Sequence, residues 1–125
     1  MVIIISNNRN LKEENIFECE FEYVDGDFID VLYKVRDKVQ LGYKLISHPL
    51  GASIRMFFSP VKSIVVSDNN CQLDLRSISI IESSIEKYKN TMQNRNIDYS
   101  NEDDYEKIDI ELLKAVFKEI KNLKS

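Results

Sequence analysis

Histidine occurs once in this chain of 125 residues, tryptophan not at all, cysteine and proline twice each, and glycine three times. Each scarcity removes a class of chemistry. Cys19 and Cys71 stand far apart with no CxxC, so the close-set group of about four ligands that a structural zinc needs is missing. A disulfide between them stays open, although no secretory segment is read: the apolar start Val2–Ile5 is too short for a signal core or a membrane span. Gly26, Gly42 and Gly51 are too scattered for a P-loop or a dinucleotide fingerprint. No serine sits in a GxSxG elbow. Lysine and arginine number 17 against 21 acidic residues, without a basic block, which argues against a grip on nucleic-acid phosphates. Neither a metal nor a cofactor is expected, and neither a nucleic acid nor a membrane as partner.

What is present reads as a folded, cytoplasmic protein with one domain over residues 1–125. Hydrophobic residues make up 43% and charged residues 30%, enough to bury a core at this length. Val2-Ile3-Ile4-Ile5 is apolar on both faces and predicts an interior strand ending at Asn7-Asn8. Phe17, Cys19, Phe21 and Tyr23 alternate with Glu18, Glu20 and Glu22, which predicts a second strand with one solvated acidic face. Asp25-Gly26-Asp27 then starts a helix over about 27–41, with Phe28, Val31, Leu32, Val35 and Val39 on one face and Gly42 ending it. Tyr43–Ser47 predicts a third strand and Val61–Val66 a fourth, closed by Asp68-Asn69-Asn70. Between them runs a loop of about a dozen residues carrying Met56-Phe57-Phe58, either a core plug or an exposed sticky patch. Asp74 caps a helix over about 75–93. After a polar linker comes a last helix, about 102–123, acidic at its start and lysine-rich at Lys118, Lys121 and Lys124, as the helix dipole prefers. Its stripe of Ile108, Leu112, Val116, Ile120 and Leu123, widened by Ile110, Leu113 and Phe117, needs burial on more than one neighbour, within the domain or across a homodimer. The fold class is α/β, with elements in the order β-β-α-β-β-α-α and a mixed, mostly parallel sheet of about four strands.

The candidate site lies where strands are predicted to end. In open α/β sheets ligands bind outside the carboxyl ends of the strands. If the first and third strands are parallel neighbours, Asn7 and Asn8 share an edge with Ser47, His48, Pro49, Gly51 and Ser53. Hydroxyls, amides and backbone N–H groups there suit a carboxylate or phosphate-like anion, and Arg55 adds charge. His48 is the one natural proton carrier near neutral pH. As a lone histidine next to Ser47 it makes no nucleophile–base pair, because strand neighbours point to opposite faces. A structural ring bonded to the loop backbone is the competing reading.

Gly42-Tyr43-Lys44-Leu45-Ile46-Ser47-His48-Pro49-Leu50, followed by Ser53 and Ser59-Pro60-Val61-Lys62-Ser63, resembles the GrdX family. The similarity extends to the strand ending at Asn7-Asn8, the Asp30–Arg36 helix segment and Ser77–Tyr88, roughly residues 1 to 92. Between Ser53 and Pro60 this chain departs from the family pattern with Ile-Arg-Met-Phe-Phe-Ser in place of a more polar run. GrdX-like proteins accompany the glycine, sarcosine or betaine reductase systems of amino-acid-fermenting anaerobes. The resemblance therefore implies an accessory or assembly protein, with reductase components as partners. It transfers that context and no catalytic mechanism. The alternative is a binding protein for an anion or amino acid, or a small enzyme using His48 as acid–base.

Overall fold

A computed structural model describes residues 2–13, 17, 19–51, 53–68 and 72–124, with the backbone alone for Glu13, Leu123 and Lys124. The expectations placed on Glu18, Asn69, Asn70 and Cys71, and on the side chains of Leu123 and Lys124, lie outside the described residues.

β-Branched side chains keep few rotamers and pack well on a pleated surface, and the Val2–Ile5 run forms strand β1, Val2–Ser6. It is the central strand, flanked by β2 (Glu20–Tyr23) and β3 (Ser63–Ser67) in the order β2-β1-β3. Ile3 and Ile5 enter a core on one face of the sheet, while Ile4 enters a second core on the other. A strand buried on both faces has to be apolar at every position, which is why this run does not alternate.

The protein is α/β with a mixed sheet, but the sheet has three strands among the described residues instead of four, and it is not mostly parallel. β1 pairs parallel with β2 and antiparallel with β3, with Ile4 opposite Phe21 on one side and Val65 on the other. Tyr43–Ser47, expected as a strand, makes a single antiparallel bridge, Leu45 to Val66. The reason is competition from serine hydroxyls for backbone groups. The Leu45 N–H donates to the Ser77 hydroxyl at 3.0 Å, and the Val65 N–H donates to the Ser47 hydroxyl at 2.9 Å. The segment still lies along β3, held by the N–H groups of Ile46 and Ser67 donating to the carbonyls of Val65 and Lys44.

Helices cover both faces. α1 (Arg9–Glu13) follows β1. On one side α2 (Phe28–Gln40) and α3 (Leu75–Met92) pack on the sheet and on each other. α2 stops as its sequence predicts: Gly42 takes φ 108°, and the Gly42 and Tyr43 N–H groups donate back to Val39 and Lys38. The Asp74 side chain accepts the Ser77 N–H at 3.3 Å and so starts α3. The long loop contains a 3-10 turn, Ile54–Phe58. Phe57 plugs the core between α2 and α3, 2% exposed, with its ring centroid 6.4 Å from Phe28 and 5.7 Å from Tyr88. Met56 and Phe58 are half-buried.

α4 (Glu102–Lys124) covers the other face of the sheet. Its buried side differs from the expected stripe. Leu113, Ile110, Val116, Phe117 and Ile120 face Ile4, Leu11 and Val65, while Ile108 and Leu112 stand 42% and 46% exposed. Two acids, Glu106 and Asp109, belong to the buried side, so hydrophobic spacing alone sets the helix rotation off by part of a turn. Phe17 and Cys19, expected to face a core, do pack here, and the Phe17 and Phe117 rings stack at 4.7 Å.

Replacing Phe57 by alanine empties a site enclosed by rings and is expected to cost about 3–5 kcal/mol. Phe58→Ala, at a half-buried position, should cost clearly less. Urea unfolding of both variants checks the difference.

Candidate functional site

β1 and the Tyr43–Ser47 segment both run antiparallel to β3, so they end at the same end of the sheet with the start of β3 between them. Two polar clamps fix that start. The Asn7 amide donates to the carbonyls of Gly26 at 2.8 Å and Pro60 at 2.7 Å, and its Oδ1 accepts the Lys62 N–H at 2.8 Å. The Asn8 amide donates to the Glu106 carbonyl and to Asp109 Oδ2, both at 3.1 Å, and its Oδ1 accepts the Asn10 N–H. Every polar atom of these two side chains is thus used inside the protein. They hold the site's frame and are not free to orient a ligand.

Asp109 completes the second clamp. It accepts the Ser63 N–H at 3.0 Å, pairs with the Ser63 hydroxyl, and receives Asn8. Ser63 in turn shares a 2.6 Å hydrogen bond with the Ser6 hydroxyl. Burial pushes the Asp109 carboxyl above the ordinary carboxylate range, against the bonds from Ser63 and Asn8 and the charge of Lys62. α4 is tied to the sheet through this network.

Between the loop, the start of β3 and α4 lies a cavity of about 280 Å³. Ser47, His48, Gly51 and Ser53 line it on the loop side, Lys62 and Ser63 at the strand, and Leu112, Val116 and Glu119 on the helix. Four of the sequence candidates therefore come together. Asn7, Asn8, Pro49 and Arg55 do not line the cavity: Pro49 is buried beside it, and Arg55 is exposed on the 3-10 turn.

His48 is oriented by its own loop, with the Leu50 N–H donating to Nδ1 at 3.1 Å. That bond needs a bare Nδ1, so the neutral ring carries its proton on Nε2. Burial, then the charges of Lys62 and Lys87, lower its pKa from 6.5. The Ser47 hydroxyl accepts from Val65 and keeps its own proton to donate. Gly51, at φ 71°, lets the loop pass close to Lys62: a Cβ there would stand 3.5 Å from the Lys62 Nζ.

Lys62 and Asp109 are the residues that sequence reading missed. Lys62 is 9% exposed. Among the described residues its ammonium has no hydrogen-bond acceptor or ion pair, and its neighbour is the Phe28 ring at 5.8 Å. Burial lowers its pKa from 10.5, and the carboxyl of Asp109 opposes the shift. The available signal was a lone charge inside the run Val61-Lys62-Ser63-Ile64-Val65 and, for Asp109, an acid one turn before Leu113. Among the described residues no cluster of His, Cys, Asp and Glu suits a metal ion, and no helix is long and apolar enough to cross a membrane.

The His48 ring should titrate below 6.5 by NMR, with the proton of the neutral form on Nε2, and Lys62→Met should raise that value by removing a nearby positive charge. Below its own pKa the ring gains a proton at Nδ1 and the Leu50 bond is lost. Stability from this contact is therefore present above about 6.5 and declines as the pH falls through the lowered value.

A family model described as GrdX-like protein matches residues 3–118 of the chain. The match runs past residue 92, where the sequence resemblance faded, and includes most of α4. No curated protein and no solved structure matches.

Proposed function

Because the chain belongs to the GrdX-like family, we propose that it is a non-catalytic accessory protein of a glycine-reductase-type amino-acid fermentation system that holds a small anion over Lys62. The family name supports the metabolic context. The observation that carries the anion reading is Lys62 itself, a residue nine-tenths buried whose ammonium has no acceptor among the described residues. Removing a cation from water costs several kcal/mol unless other groups replace the lost hydration. An anion in the cavity supplies that replacement. The Ser47 hydroxyl and the His48 Nε2–H add neutral donors on the loop side.

The enzyme alternative has less support. His48 spends Nδ1 on its own loop, Ser47 turns its oxygen to Val65, and Asn7 and Asn8 are committed to the frame. Chemistry by His48 predicts lost turnover in both His48→Ala and His48→Gln with the fold kept. The accessory reading predicts reductase components co-purifying with the tagged protein from glycine-fermenting cells.

Replacing Lys62 by methionine separates a functional from a structural lysine. Methionine keeps the apolar stem and removes the buried charge, so stability should hold or rise by about 1 kcal/mol. Small-anion binding, followed by isothermal titration, should weaken by about ten- to a hundredfold, the worth of a hydrogen bond to a charged group. Lost stability with unchanged binding would make Lys62 a structural residue.

A further inference from the structure

We propose that the ligand of this cavity is a small monocarboxylate with an apolar tail, its carboxylate on Lys62 and its tail along α4. This rests on the anion-binding reading above and adds the chemical class. Charge comes first. Lys62 is the one cation among the residues lining the cavity, whereas Asp109 and Glu119 bring two acids to the same walls. A single negative charge can pair with the lysine; a di- or trianion would place further charge beside these carboxyl groups. On the loop side the Ser47 and Ser53 hydroxyls and the His48 ring also line the cavity, neutral groups that suit the second carboxylate oxygen.

The walls give the tail. Leu50 and Met56 on the loop face Leu112, Leu113 and Val116 of α4 across the cavity. Leu112 is 46% exposed although it lines this space, so a hydrocarbon chain laid against it buries surface that the protein leaves in water. Size sets the limit. At about 280 Å³ the cavity falls just below the range of roughly 300–1,000 Å³ typical of drug-sized ligands, which fits a short-chain or branched-chain acid and excludes a nucleotide or coenzyme.

The test is isothermal titration of the full chain with acetate, butyrate and hexanoate, and with inorganic phosphate and citrate. Affinity should rise about fourfold for each added methylene until the α4 wall is covered. Phosphate and citrate should give no heat that depends on Lys62. Lys62→Met and the neutral Lys62→Gln should both weaken carboxylate binding by about ten- to a hundredfold. Leu112→Ala, which trims the α4 wall without adding charge, should flatten the dependence of affinity on chain length. Lys62-dependent binding of phosphate or citrate tighter than hexanoate overturns the ligand class while keeping the anion site. Carboxylate affinity independent of chain length overturns the role of α4. If no anion in the panel binds in a Lys62-dependent way, the class and the anion site fall together.

Discussion

An ammonium group gives up strong hydration when it is buried, and proteins tolerate that only when acceptors, a carboxylate or a ligand take the water's place. Lys62 sits under this constraint at the start of β3. The Phe28 ring offers the face of a π-system at 5.8 Å, which returns only a fraction of the cost. Asp109 is near enough to act on the lysine through its charge, yet its oxygens are committed to Ser63 and Asn8. The protein thus keeps a positive charge poorly paired, and it spends specific polar contacts to keep it in position.

Those contacts explain much of the surrounding architecture. Asn7 grips the Lys62 backbone from the end of β1 and ties it to Gly26 and Pro60. Asn8 and Asp109 fasten α4 to the same strand ends. With the Phe17–Phe117 stack at 4.7 Å, these bonds add direction to the apolar contact of Leu113 with Ile4 and Val65. A helix held by a polar clamp at one end and an apolar face along its length leaves a gap where the loop turns away. The cavity occupies that gap, with rigid backbone behind the lysine and the side chains of α4 in front.

Much of this was legible in the sequence, and the misses have physical causes. The helices over Phe28–Gln40 and Leu75–Met92 followed from apolar spacing and from Asp74 and Gly42 at their ends, because helix signals are local. The Tyr43–Ser47 segment failed as a strand because Ser77, some thirty residues away, takes the Leu45 N–H; no local pattern reports a distant hydroxyl. The meeting of Ser47, His48, Gly51 and Ser53 at one cavity was legible because they follow one another out of a single predicted strand end. The roles of Asn7 and Asn8 did not, since an asparagine at a strand end reads the same whether it faces a ligand or a backbone carbonyl. Lys62 and Asp109 escaped because each looks like an ordinary surface charge until the partner element is placed against it.

The ionisation of Lys62 tests most directly whether this buried lysine is the anion-binding group. An NMR titration of the Lys62 side chain, followed at the carbon next to Nζ, measures its pKa in the free protein and with hexanoate bound. The expected result is a free-state value below 10.5, in the direction that burial sets, and a rise on binding, because the carboxylate stabilises the charged form. A pKa at the ordinary lysine value that stays there when carboxylate is added would contradict it.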